Sequence, residues 1–260
     1  MSINFLGLAR AIPVALYAVL GLLVFFGRAY AGPIIVGHLG GTGAGQFGSI
    51  LTWDYAIGGT PTSGFNKQSV GDGRAVEVVG GLVYYTNTSS FGSGPSPGIH
   101  VAPYNGGNGG ADLTTLPNPR PGFNIQDLDF FNGRLYALTG YLPGPQQGPL
   151  IVYGLNPMNG QIQTTVTIQG PLPGADGFTV LPNGNFLIND NDAVNVYREY
   201  DALTGLLVPS APVITVKSPT NRATGVDYFN NSLYFYGVFF TQGGLGKPGL
   251  LNTDLNGNEI

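Results

Sequence analysis

The sequence predicts an all-β chain folded as a β-propeller of four-stranded antiparallel blades, with about five blade-equivalents and an incomplete last blade. Three observations predict it. The chain is rich in turn formers and aromatics and poor in charge, with 43 Gly, 20 Pro, 12% aromatic and 9% charged residues among 260. A unit of apolar strand, tight turn and apolar strand recurs along the chain. A second hairpin follows each of those units.

Composition sets the class. A charged fraction far below the roughly 25% of ordinary soluble domains is compatible with disorder. The aromatic and β-branched content opposes that, because it supplies apolar surface to offset the entropy of ordering. Many glycines and prolines between short apolar runs read as short strands joined by turns.

The repeated unit comes next. It reads Val76-Glu77-Val78-Val79-Gly80-Gly81-Leu82-Val83-Tyr84, then Leu128-Asp129-Phe130-Phe131-Asn132-Gly133-Arg134-Leu135-Tyr136. It recurs as Phe178-Thr179-Val180-Leu181-Pro182-Asn183-Gly184-Asn185-Phe186 and as Val226-Asp227-Tyr228-Phe229-Asn230-Asn231-Ser232-Leu233-Tyr234. Gly-Gly, Asn-Gly and Asn-Asn suit the positive φ of a two-residue hairpin. The turns fall roughly every fifty residues, a period that signals a repeat architecture.

Second hairpins turn at Tyr104-Asn105-Gly106, Asn156 to Gly160, Asp201 to Gly205 and Asp254 to Gly257, with an early copy from Asp54 to Gly58. Two hairpins per repeat make a four-stranded sheet, and radial repetition of such sheets is a propeller. A sandwich has no need of a fixed period. On this reading the first blade lacks its innermost strand, and the last stops after its outer turn without a fourth strand. Exposed edges there favour pairing with a second copy. Three Gly/Pro stretches, 117–122, 170–174 and 209–212, separate blades within one domain.

Gly177 to Phe186 resembles the inner hairpin of the NHL, SMP-30/lactonase and YVTN-type propellers, and Tyr200 to Gly205 resembles their outer hairpin. The resemblance covers the chain from about Gly32 and implies the propeller superfamily. Kelch repeats share the period but usually carry a tryptophan each, and this chain has Trp53 alone.

The N-terminus is a separate object. Arg10, an apolar run from Ala11 to Phe26, and Ala29-Tyr30-Ala31 form the parts of a secretory signal peptide. The predicted division is residues 1–31 as signal and 32–260 as propeller, secreted or extracytoplasmic, with no membrane contact after cleavage. An uncleaved anchor is the competing reading, because the run approaches the ~20 residues of a span. Cleavage removes two basic residues, so the mature part is more acidic than the −4 of the whole chain. No basic cluster points to nucleic acid, and with no cysteine no thiolate can attack a substrate or bind a metal.

The candidate site is a set of aspartates at the starts of innermost strands: Asp127, Asp129, Asp176 and Asp227. Asp127 and Asp129 lie two apart and share a strand face. Carboxylates converging on the axis suit Ca²⁺, a hard cation, and the expected ligands are Asp127, Asp176 and Asp227. The resemblance implies a central metal in lactonase-like members, held by Glu, Asn and Asp from different blades. No glutamate stands at the head of the first blade here. The alternative role is capping of turns through backbone hydrogen bonds.

Other positions carry weaker signals. Asn189 to Asp192 reads as a polar loop between hairpins, lacking the Gly and distal Glu of a calcium loop. His38 and His100 lie in different blades. Asn87-Thr88-Ser89 fits a glycosylation sequon. Tyr141, Phe239 and Phe240 adjoin Gly/Pro loops that would present them at one rim as a binding surface. The expected function is a non-enzymatic module that binds a protein or polymer. A Ca-dependent lactonase-type hydrolase and an assembly component are the alternatives.

Overall fold

The computed structural model describes residues 34–39, 49–54, 62–67, 72–88, 96–104, 107–108, 111–140, 148–170, 175, 177–190, 196–216, 220–240 and 246–260. The predicted signal segment 1–31, Tyr141 and Asp176 lie outside the described residues. Of β1–β3, and of Phe239 and Phe240, only the backbone is described. Among the described residues no helix is long and apolar enough to cross a membrane.

Every element among the described residues is a strand. In chain order they are β1 (Ile34–Leu39), β2 (Ser49–Asp54), β3 (Thr62–Lys67), β4 (Asp72–Val79), β5 (Leu82–Thr88), β6 (Gly98–Pro103) and β7 (Gly107–Asn108). There follow β8 (Thr114–Pro117), β9 (Ile125–Phe131), β10 (Arg134–Thr139), β11 (Ile151–Leu155), β12 (Ile162–Thr167) and β13 (Phe178–Val180). The last are β14 (Phe186–Asp190), β15 (Val196–Tyr200), β16 (Ile214–Thr215), β17 (Thr220–Phe229), β18 (Ser232–Phe240) and β19 (Gly246–Thr253).

These strands form five sheets, the blades of a propeller. Blade I is β1-β2-β3-β7, blade II β4-β5-β6-β8, blade III β9 to β12, blade IV β13 to β16, and blade V the three strands β17-β18-β19. The first strand of each blade packs on the first strand of the next: β1 on β4, β4 on β9, β9 on β13 and β13 on β17. Those five strands surround the axis.

Turn chemistry explains the inner hairpins. Gly80 and Gly81, Asn132 and Gly133, and Asn230 and Asn231 all have positive φ, as a type I′ turn demands at both central positions. Blade IV cannot use that turn, because Pro182 fixes its φ near −65°. Its loop is longer: Leu181 N–H donates to Asn185 O, Gly184 N–H donates to Leu181 O, and only Gly184 turns left-handed, at φ 89°.

The core lies between blades. Ala75, Tyr84 and Ile99 of blade II meet Ile125, Leu128, Leu135 and Leu155 of blade III. Leu138 and Val152 of blade III meet Phe178, Val180 and Phe186 of blade IV. Leu187 and Tyr197 of blade IV meet Val226, Leu233 and Phe235 of blade V. A fully buried phenylalanine such as Phe178 contributes roughly 2–3 kcal/mol, so the junctions carry the stability of this disulfide-free fold.

Four expectations need correction. Blade I has its innermost strand: β1 packs against β4, and a long connection rather than a two-residue turn hid its hairpin with β2. The stretch 209–212 lies inside blade IV, between β15 and β16, not between blades. Beyond Tyr104 the chain does not turn straight back, because β7 crosses to blade I and pairs parallel with β3 before the return as β8. Asn189 and Asp190 belong to β14 rather than to a loop, and Asn189 is buried with its Oδ1 accepting the Gly177 N–H at 3.1 Å. Residues 191–195 are outside the described ones. Among the described residues blade V has three strands, with a single bridge from Glu259 to Thr253 beyond them.

Candidate site at the inner ends of the blades

Glu77, Asp129, Thr179 and Asp227 hold one position in the repeat. Each sits in the first strand of its blade, two or three residues before the turn, opposite Tyr84, Tyr136, Leu187 and Tyr234 respectively. In blades II, III and V that position carries a carboxyl group. In blade IV it carries a hydroxyl.

At the junction of blades III and IV the carboxylates are occupied. Alternation places Asp127 and Asp129 on the blade IV side of β9, opposite Leu138 and Tyr136. Asp127 Oδ2 accepts the Phe178 N–H at 2.9 Å, and its Oδ1 accepts the Leu128 N–H at 2.9 Å. Asp129 Oδ2 accepts the Thr179 hydroxyl at 2.8 Å and also the Val180 N–H, while its Oδ1 accepts the Phe130 N–H. Thr179 Oγ1 in turn accepts the Tyr228 N–H of blade V at 3.1 Å. One relay thus ties blades III, IV and V.

The junction of blades II and III is built differently. Glu77 lies between Ala75 and Val79, both packed in the cluster shared with blade III. Ala75 stands where blade III has Asp127, so no carboxylate reaches across there. The contact is made instead by Thr86, whose Oγ1 accepts the Ala75 N–H at 3.1 Å and stands 3.5 Å from Ile125 O. On the blade III side, β9 carries a bulge: Leu138 pairs with Asp127 and Thr139 with Ile125, leaving Gln126 as the extra residue. Gln126 is 3% exposed and Asn124 0% exposed, and among the described residues Gln126 Nε2, Asn124 Oδ1 and Asn124 Nδ2 have no partner.

Electrostatics follow from enclosure. Glu77, Asp127 and Asp227 are partly exposed and Asp129 is buried, yet all four lie deep in the molecule. Loss of hydration pushes the Asp227 carboxyl up to about 8, and Asp129 adds repulsion. Glu77 is raised well above the usual carboxylate range by the same desolvation, with Asp227, Asp129 and Asp127 as its charged neighbours. Desolvation also raises Asp127 and Asp129, partly opposed by the backbone N–H groups that they accept. At neutral pH the cluster therefore carries protons and fewer charges than four carboxylates would.

Of the residues expected from sequence, the structure brings Asp127, Asp129 and Asp227 together at the axis and adds Glu77. Asp176, Tyr141 and the side chains of Phe239 and Phe240 fall outside what is described. Among the described residues no three His, Cys, Asp or Glu side chains form a group that could hold a metal ion. The arrangement offers carboxyl and carboxamide hydrogen-bonding groups in a partly dry setting.

His100 stands elsewhere, on the blade I side of blade II. Its ring stacks on Tyr85 at 4.9 Å, Nδ1 faces Asp112 Oδ2 at 3.0 Å, and Nε2 faces Asn87 Oδ1 at 3.1 Å. The Tyr85 hydroxyl donates to Asp112 Oδ1 at 2.7 Å, and burial, then that bond, pushes the phenol up. Thr115 Oγ1 approaches the same Nδ1 at 3.3 Å, and Nε2 faces the Asn87 amide oxygen rather than a nucleophilic hydroxyl. The Asn87 amide of the sequon is engaged by this network.

No protein-family model matches the chain, and neither does any curated protein. Solved structures do. A bifunctional GH43-CE protein of Bacteroides eggerthii is 13% identical with a TM-score of 0.50 over 72% of this chain and 27% of its own. The glutaminyl cyclase of Myxococcus xanthus is 13% identical with a TM-score of 0.48 over 80% and 84%. The WD40 β-propeller domain of Doa1 is 13% identical with a TM-score of 0.39 over 72% and 82%. The chain also spans about half, 54%, of the designed protein Ika8. Fold and site together define the class: this is a β-propeller with carboxyl groups gathered at its axis. The likeness is to propellers in general, not to the NHL or SMP-30 branch in particular, and the names of its neighbours include both enzymes and a WD40 domain.

Proposed function

We propose that the chain is an exported propeller that binds a ligand, part of a protein or a polymer, at the inner ends of its blades without transforming it. The observation that carries this reading is the use made of Asp127 and Asp129. The oxygens that a general base or a metal site would need already accept four main-chain N–H groups and one hydroxyl, three of the five bonds coming from the next blade. A carboxylate so engaged fixes geometry. The groups left over, Glu77 and Asp227 with the amides beside β9, suit recognition. His100 supports the same reading, being locked away from the axis.

A second reading is a metal-dependent hydrolase of the SMP-30/lactonase type, and one observation favours it. Carboxyl groups raised by loss of hydration, and secondarily by one another's charge, are relieved by a dication, and Ca²⁺ would be that ion. The test is native mass spectrometry of the purified chain with and without Ca²⁺, beside binding to insoluble polysaccharides and assay of lactone hydrolysis. Polymer retention with no Ca²⁺ bound and no turnover supports the binding module. One tightly held Ca²⁺ with lactone turnover, both lost in Asp227→Asn, replaces it with the hydrolase. A dimer in the same spectra assigns the third role, assembly through the outer edge of β19.

A further inference from the structure

We infer that Asn132, at the tip of the inner hairpin of blade III, is a modification site. It loses its side-chain amide spontaneously and passes through a cyclic imide to aspartate and isoaspartate, ahead of the other Asn-Gly pairs among the described residues.

The reaction sets three conditions. The backbone nitrogen after the asparagine must be free to attack. The side-chain carbonyl carbon must be free to turn toward it. No Cβ may crowd the attacking nitrogen, a condition that a following glycine meets. Four Asn-Gly pairs have both residues described: Asn132-Gly133, Asn159-Gly160, Asn183-Gly184 and Asn256-Gly257. Their hydrogen bonds separate them.

Three pairs are closed. Gly160 N–H donates to Asn156 O at 2.8 Å, Gly184 N–H to Leu181 O at 2.8 Å and Gly257 N–H to Asp254 O at 3.0 Å. The asparagines are held as well. Asn159 Oδ1 accepts the Gln161 N–H at 3.0 Å. Asn183 Oδ1 accepts the Asn185 N–H at 3.0 Å, and its Nδ2 donates to Glu199 Oε1 at 2.8 Å. Asn256 is bonded to the Asp254 carboxylate through both its main chain and its side chain.

The Asn132-Gly133 pair is open. It fills the two central positions of a hairpin closed by Phe131 and Arg134, and in such a turn the ladder bonds belong to the closing residues. Both residues are exposed, at φ 48° and 77°. Among the described residues neither the Gly133 N–H nor the Asn132 side chain has a partner.

The Gly133 nitrogen gives up its proton and bonds to Asn132 Cγ, the Cγ–Nδ2 bond breaks, and ammonia leaves with that proton. Water then opens the imide at one carbonyl or the other, giving isoaspartate or aspartate. Either product adds a negative charge. Isoaspartate also routes the main chain through Cβ, which lengthens a turn whose geometry fits two residues. The hairpin includes β9, whose Asp129 bonds to blade IV, so the strain reaches that joint.

The test is ageing of the purified chain in mildly alkaline buffer, folded or in guanidinium chloride, with peptide mass spectrometry and chromatographic separation of isoaspartyl forms. In the folded chain Asn132 should convert roughly tenfold faster than Asn159, Asn183 or Asn256, since the closed pairs must break hydrogen bonds before attack. In denaturant the four rates should converge. Conversion of any of the other three as fast as Asn132 overturns the assignment, and so does a folded chain in which Asn132 stays amidated. An order that persists in denaturant overturns it too, because local sequence and not the fold would then be the cause. The isoaspartyl fraction should unfold several degrees below the parent, whereas Asn132→Asp, with the same charge on an unaltered main chain, should unfold close to it. Equal midpoints for all three forms overturn the link to the joint between blades III and IV.

Discussion

Two blade junctions of this propeller share one backbone plan and put it to different use. Between blades III and IV, Asp127 and Asp129 reach across and their oxygens accept main-chain and hydroxyl donors. Between blades II and III, Ala75 takes the place of Asp127, Glu77 takes that of Asp129, and Asn124 Oδ1, Asn124 Nδ2 and Gln126 Nε2 have no partner among the described residues. The first junction is a joint. The second is a joint with polar capacity to spare, and that surplus is what separates a candidate site from architecture in a repeat protein.

The largest expected effect breaks the closed junction. Asp129→Ala strips the acceptor from the Val180 and Phe130 N–H groups and the Thr179 hydroxyl, and should cost about 4 kcal/mol, since buried donors left unpaired cost roughly 1–3 kcal/mol each. Asp129→Asn keeps one accepting oxygen for the Val180 N–H and the Thr179 hydroxyl but turns its NH2 toward the Phe130 N–H, and should cost about 1–2 kcal/mol, clearly less than Asp129→Ala. Urea denaturation midpoints of the two variants measure the contrast. If both lose equally, the joint does not depend on accepting oxygens.

Next comes pH. Asp227 has its folded value at about 8, above the ~3.9 of an unfolded aspartate. Between those limits the unfolded chain gives up a proton that the folded chain keeps. The contribution is fully present below about pH 4 and is lost as pH rises to about 8. Stability should fall over that window by on the order of 3 kcal/mol, allowing for residual solvent contact, with Glu77 and Asp127 acting in the same direction. Asp227→Asn should flatten the curve. Denaturation at pH 5 and pH 8 checks both, and a parent chain that gains stability with rising pH would show the cluster to be ionised in the fold.

A smaller loss belongs to the relay. Thr179→Val leaves the Tyr228 N–H without its acceptor and should cost about 1–2 kcal/mol by calorimetry. Smallest, and opposite in sign, is Gln126→Leu at the open junction, a gain of up to about 1 kcal/mol in the ligand-free chain. A loss there would mean that the amide is satisfied and the two junctions are alike.

Much of this was legible in the sequence, and the reasons differ by residue. The inner hairpins were readable because Gly80-Gly81, Asn132-Gly133 and Asn230-Asn231 can adopt positive φ cheaply. Asp127, Asp129 and Asp227 were readable as polar residues at the starts of apolar strands. Glu77 was missed although it holds the same position in its unit as Asp129 and Asp227; aligning the four units by that position would have found it. Gln126 was not readable, because a bulge breaks strand alternation without leaving a mark in composition. The exchange of β7 was invisible for a simpler reason: Gly107 and Asn108 carry no periodic pattern at all.

That exchange has a mechanical consequence. In an ordinary repeat array each unit touches only its neighbours and can melt from an end. Here two residues borrowed from the path of blade II complete the sheet of blade I, and the returning chain is gripped at Asp112 by His100 and Tyr85. Blade I cannot peel away while that grip holds, and blade II cannot loosen without dragging a strand out of its neighbour. The first two blades are woven into one cooperative unit, so a pull on the amino-terminal side loads a shear joint rather than a seam that can unzip.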